Sequence, residues 1–131
     1  MVDHAASELG RDGVRRLLEE TLSQTVSRLG AYGAGLALID PDGEVLTTHL
    51  SMGLPPEYVM SQHRRRLTAP TPDPLVEAVR ARRLVWVESS EELMRRYPRP
   101  TRIPPHQALA VAPIMSGSAV WGVLLLFWPD S

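Results

Sequence analysis

Ser61-Gln62-His63 sets a serine two residues before a histidine, the raw material of a nucleophile and its base. On a helix, residues two apart point to different faces, so this pair cannot pass a proton within itself. No G-x-S-x-G elbow, P-loop or HExxH run occurs. Four histidines, His4, His49, His63 and His106, are present, and no two of them have the spacing of a preformed metal site. The sequence has no cysteine, which removes disulfides, thiolate metal sites, thiol nucleophiles, iron-sulfur clusters and thioether-linked chromophores together. Arg64-Arg65-Arg66 has the chemistry to clamp a phosphate through bidentate guanidinium contacts, although such a run is more often a solvated helix face. Most carboxylates fall in helical segments beside arginines, the pattern of a solvated surface. The expectation is a chain that is not an enzyme and holds no metal.

The formal net charge of the 131 residues is -1, which leaves no basic field for nucleic acid or an anionic membrane surface. The opening MVDHAASELG carries acidic groups and no apolar core segment, so no signal peptide is expected and the default location is cytoplasmic. All fourteen basic residues are arginine, a bias attributable to a GC-rich genome. The run from Ala108 to Trp128 lacks any charged side chain and is long enough to span a bilayer, which takes about 20 apolar residues in a helix. Pro113 and the Ser116-Gly117-Ser118 break would interrupt a helix twice, so the run reads better as two strands, Ala108 to Met115 and Ala119 to Trp128, around a tight turn. Gly122 inside the second strand marks a bulge or a close approach of another element.

These residues need elements to hold them. Residues 1 to 11 are polar and aperiodic and are expected to fray. Asp12 reads as the N-cap of a helix from Gly13 to Leu29, with Gly30 as its stop and a broad apolar face. AGLALID, the turn Pro41-Asp42-Gly43 and EVLTTHL form a hairpin. PPEYVMSQHRRRL reads as a short helix entered through its prolines. A helix follows Asp73 with Pro74 in its first turn and Leu75, Val76 and Val79 on one side. LVWVE is a strand, and Ser89 or Ser90 caps EELMRRY, where Glu91 and Glu92 precede Arg95 and Arg96 by four residues. Trp86 and Trp121 sit on strands, where core packing is their first explanation and pocket lining the second. No repeat or linker divides residues 12–131, which read as a single domain.

The order helix, hairpin, helices, strand, short helix, long hairpin resembles the GAF domain, a PAS-like sensory module. The matching pieces are LALIDPDGEVLTTHLSMGLPPE, DPLVEAVRARRLVWVESSEELMRRYP and ALAVAPIMSGSAVWGVLLLFWP, the last with a strand ending in Ala-Pro-Ile and a strand carrying Trp-Gly-Val. The resemblance implies an α+β fold, a central antiparallel sheet of five or six strands flanked by helices. It also implies a regulatory sensor of the kind found in bacterial signalling proteins. Such a module dimerises or binds a small molecule to control an attached output domain, for example a histidine kinase or serine phosphatase. The family's ligand region falls here on Met60, His63, Trp86, Met94, Tyr97 and His106. The first helix, through Val14, Leu18, Leu22, Thr25 and Leu29, would pair with a second copy. Some members hold haem through one histidine; His63 or His106 would have to serve, and a lone histidine is more often an ordinary hydrogen-bonded residue, so no cofactor is expected. The Asn-Lys, Phe, Asp-Glu signature of cyclic-nucleotide-binding members is absent, since the chain has neither asparagine nor lysine. The lack of cysteine excludes the bilin-carrying and thiol-reductase branches.

Family members continue into a C-terminal helix after the last strand, whereas this chain stops at Asp130-Ser131, the expectation being a piece of a longer signalling protein rather than a reduced module. A ligand-free dimerisation scaffold, its core filled by Trp86, Leu93, Met94 and Tyr97, is the alternative. The roadblock type of α/β dimer shares the helix and hairpin order but lacks the proline-rich middle and the EELMRRYP segment.

Overall fold

The computed structural model describes residues 2–54, 64–68, 72–98 and 107–129. Among them, helix α1 (Val2–Leu29) leads into strands β1 (Gly33–Ile39), β2 (Val45–Met52) and β3 (Arg64–Arg66). Helix α2 (Pro74–Ala81), strand β4 (Val85–Val87) and helix α3 (Ser90–Arg96) follow, and the hairpin β5 (Gln107–Ser116) and β6 (Ala119–Pro129) ends the described chain. The six strands form one sheet in the order β3-β2-β1-β6-β5-β4, antiparallel at every pairing. The architecture is the expected α+β one.

α1 begins at Val2, so the segment 1–11 expected to fray is helical from its second residue, and Asp12 lies inside the helix instead of capping it. Ala5, Ala6, Glu8, Leu9 and Arg11 are all good helix formers and no proline intervenes, so a helix nucleated downstream propagates through them without an apolar stripe. The stop falls where expected. Gly30 takes the left-handed conformation at φ 69°, and Ala31 N–H donates to Val26 O at 3.0 Å, closing the helix in a Schellman-type turn.

The first hairpin turns on Asp40. Its carboxylate accepts from the backbone N–H groups of Glu44 and Val45, both at 3.1 Å, while Gly43 supplies the positive φ. Arg64–Arg66 departs from its expected helical reading. The three residues pair with Val45–Thr47 as an edge strand whose burial alternates out, in, out. Pairing with a remote strand has overridden the local pattern, as it does for short segments. The rest of the PPEYVMSQHRRRL segment, residues 55–63, lies outside the described residues.

The charge-free run Ala108–Trp128 is the β5–β6 hairpin, and no helix among the described residues is long and apolar enough to cross a membrane. Its side chains divide between two cores. On one face Leu109, Val111, Val123, Leu125 and Phe127 join Ala37, Leu46, Val85 and Val87 beneath α2 and α3. On the other, Ala110 and Leu126 join Ala34, Leu36, Leu50 and Leu22 of α1. Trp86 and Trp121 belong to neither interior, at 44% and 62% exposed, so the expectation of core packing fails for both. Val85 and Val87 take the closed face of β4, which turns Trp86 onto the α1 side, where its ring meets Trp128 edge-on at 5.4 Å. α1 does not cover that end of the sheet.

Gly122 is where β1 comes closest to β6. A Cβ there would stand 2.1 Å from Ala37 O and 2.9 Å from Leu38 Cα, both backbone atoms that cannot swing aside. Gly122→Ala is therefore expected to cost about 3 kcal/mol, read from the midpoint of urea unfolding. Gly13→Ala, in the exposed part of α1 with nothing within 4 Å, is expected to gain up to about 1 kcal/mol instead.

Candidate functional site

The face beneath α2 and α3 carries the polar groups with the most constrained surroundings. β3 is an edge strand, and alternation sends Arg65 inward while Arg64 and Arg66 stay exposed. Arg65 lies opposite Leu46, which lies opposite Ile39, so one row of side chains crosses three strands. The Arg65 side chain is only 7% exposed, and its Nη1 donates to both carboxylate oxygens of Asp73, at 2.6 and 2.7 Å. Asp73 is also the N-cap of α2, accepting from Leu75 N–H at 2.8 Å. One carboxylate thus starts the helix and neutralises the buried cation, a pair whose rupture leaves an unpaired interior charge. Arg80, further along α2, donates to Leu67 O and ties the helix to the residue after β3.

α3 is held by a second network. Ser89 caps it, accepting from Glu92 N–H at 3.1 Å. The Glu92 side chain reaches back to Glu88 N–H at 2.9 Å, completing a reciprocal cap one residue removed from the usual box, and that donor holds the Glu92 carboxyl below its ordinary pKa. Arg96 donates to Glu92 at 3.1 Å and to Trp86 O at 2.7 Å, so the expected i,i+4 pair forms and also anchors the helix to β4. Tyr97, 2% exposed, donates its hydroxyl to Glu77 of α2 at 2.8 Å. Burial, then the Glu77 carboxylate, raises the Tyr97 pKa above its ordinary value.

Of the six residues expected to line one pocket, the three that are described do not come together. Met60, His63 and His106 lie outside the described residues. Trp86 is on the α1 face, Met94 is 60% exposed on α3, and Tyr97 is sealed in the core on the opposite face from Trp86. Three residues of strand cannot announce which side is closed, so a period of two left Trp86 ambiguous. Arg65 entered the sequence reading only as one of three arginines able to clamp a phosphate, and Asp73 and Glu77 not as site residues; the signal available was the inward position of a short edge strand opposite the apolar Leu46. Among the described residues no group of three or more His, Asp or Glu side chains is placed to hold a metal ion.

The opposite face offers an open groove of about 470 Å³ between Arg15 and Glu19 of α1 and Thr48–Met52 of β2. His49 sits in it, exposed, beside the β-bulge that shifts the β1–β2 register at Leu36 and Ala37. Of the residues expected on a pairing helix, Leu22 is buried at 5% in the α1-side core and so is unavailable to a partner. Thr25 is half-buried, with its hydroxyl bonded to Thr21 O, whereas Val14, Leu18 and Leu29 are exposed.

The raised Tyr97 pKa has a sign. Its stabilisation is complete below the unfolded value of 10.0 and is lost as pH rises through the alkaline range towards the folded value. Chemical denaturation from neutral to strongly alkaline pH should show that decline. Tyr97→Phe should cost about 1 kcal/mol at neutral pH through the lost hydrogen bond and make the alkaline limb shallower.

The GAF domain family model matches residues 12–131. No curated protein matches the chain. Solved structures share its fold. The GAF domain from an Acinetobacter phosphoenolpyruvate-protein phosphotransferase is 18% identical with a TM-score of 0.67, over 94% of this chain and 80% of that one. A domain of a putative two-component sensor histidine kinase from Sinorhizobium meliloti is 17% identical with a TM-score of 0.61, over 89% and 74%. The NreA protein from Staphylococcus aureus, mutated in its nitrate binding site, is 16% identical with a TM-score of 0.66, over 88% and 86%. With a six-stranded antiparallel sheet in place and the family model spanning the whole of it, the chain belongs to the GAF domain family.

Proposed function

We propose that the chain is a regulatory sensor module of a signal-transduction protein. It pairs with a second copy through α1, admits a small molecule on the α2/α3 face, and controls an attached output domain. The observation that carries the reading is the uncovered apolar line of α1. Leu22 is sealed against the sheet, while one and two turns earlier on the same line Leu18 and Val14 are exposed, with Leu17 beside them at 62%. At about 1.5 Å per residue the 28-residue helix is roughly 42 Å long, well beyond what a seven-residue strand can cover. A two-fold axis would bury this line against its own copy. Family membership and the likeness to a domain of a sensor histidine kinase support the regulatory part. Signalling would be differential affinity: a ligand that favours one packing of α1 shifts the population towards it.

The scaffold alternative has one observation of its own. Tyr97, expected at a pocket wall, fills the core at 2% exposed. Native mass spectrometry separates the two readings, since a dimer carrying a mass that disappears on denaturation is the sensor and a bare dimer is the scaffold. A wild-type monomer would sink both. The double substitution Val14→Glu with Leu17→Glu should weaken the dimer at least tenfold, about 1.4 kcal/mol, in sedimentation equilibrium, with the folded circular-dichroism spectrum kept.

A further inference from the structure

Arg65 is buried with one of its donors unused. Asp73 takes both of its bonds from Nη1, and Nε, shielded from solvent, has no hydrogen-bond partner among the described residues. A buried donor is ordinarily satisfied, so an orphan on a fixed side chain calls for an acceptor that the described residues do not supply. The surroundings are apolar and incompletely closed. Leu46 and Ile39 continue the Arg65 row across the sheet, and Ile39, Leu67 and Val79 are only partly buried where the core runs out towards β3.

The charge around Arg65 narrows what could sit there. Asp73 already neutralises the guanidinium at 2.6 Å, and Arg64 and Arg66 face away as exposed groups. A second carboxylate or a phosphate would bring an uncompensated negative charge into the interior, whereas a neutral acceptor would satisfy Nε at no such cost. The geometry points to an uncharged, largely apolar small molecule bearing one carbonyl or ring-nitrogen acceptor, bound on the α2/α3 face with Arg65 Nε as its polar contact. This rests on the sensor reading and names its ligand class. It also takes Arg65 out of the phosphate clamp suggested by three consecutive arginines, because Arg65 points inward and is already paired.

Benzamide and benzoate have nearly the same shape and differ in charge, which makes them the discriminating probes. The full chain, labelled uniformly with 15N, is titrated with each and with inorganic phosphate while the backbone amide and arginine Nε–Hε resonances are followed; the Arg65 Nε–Hε signal is identified by its loss in Arg65→Lys. That variant keeps a cation for Asp73 and removes Nε, and its thermal unfolding shows whether the fold survives. Benzamide is expected to shift the Arg65 signal saturably and slow its hydrogen exchange. Benzoate and phosphate should bind at least tenfold more weakly, and Arg65→Lys should lose benzamide affinity at least tenfold. Equal or tighter binding of benzoate or phosphate would overturn the neutral-acceptor assignment. Benzamide shifts confined to backbone amides, with Arg65 Nε unmoved, would overturn the role of Arg65 and leave the sensor reading standing. Should benzamide shift no resonance, the proposal fails, and the sensor reading is then judged separately by the retained mass in the native spectrum.

Discussion

The central strands are apolar on both sides, and both sides have to be kept from water. β6 sends Val123, Leu125 and Phe127 to one face and Leu124, Leu126 and Trp128 to the other. A half-solvated antiparallel sheet would need a polar face, and β6 has none over that span. Layers on both sides follow from this. α2 and α3 supply one, α1 the other, and the strand order that puts β1 and β6 in the middle keeps the least polar strands furthest from the edges.

Both layers are held by apolar packing, and they differ in what is added to it. α1 is long and contributes Leu22 and Val26. α2 and α3 are short, of eight and seven residues, too short to be stable on propensity alone, and bury Leu75, Val76, Ala78 and Leu93. Arginines reaching neighbouring backbone add to that packing: Arg80 to Leu67, Arg82 to Ser118 at 3.0 Å, and Arg96 to Trp86. An arginine fork can reach a carbonyl while its stem packs on apolar surface, which a compact ammonium does less well. The arginine-only composition is thus put to structural use, whatever mutational bias produced it.

What could be read from the sequence was whatever a local rule fixes. Ser89 caps its helix as expected, Pro74 opens α2, Gly30 stops α1, Glu92 pairs with Arg96, and Gly122 marks a close approach. What could not be read depends on a distant partner. Arg64–Arg66 is a strand because Val45–Thr47 lies beside it, and nothing within three arginines says so. Trp86, whose first explanation was core packing, is exposed, and Tyr97, placed in the ligand region, fills the core, for the same reason. Exposure of a strand residue is set by which face the helices cover, and Tyr97, just beyond α3, is drawn inward by Glu77 twenty positions earlier. The Arg65–Asp73 pair was not legible, because nothing local says that the middle residue of a three-arginine edge strand turns inward to meet a helix cap eight positions later.

One indole bond has a mechanical meaning. Trp128 Nε1 donates to Leu29 O at 2.8 Å, and Tyr32 N–H donates to Phe127 O at 2.9 Å, so two bonds stitch the end of β6 to the chain on either side of Gly30. The carbonyl used is one of those a helix leaves unpaired at its C-terminus. The joint anchors the C-terminal end of α1 to the β6 end of the sheet. With Leu22 and Val26 holding the turns just before it, the helix is aimed from that end, and the line bearing Leu18 and Val14 runs on from a fixed base.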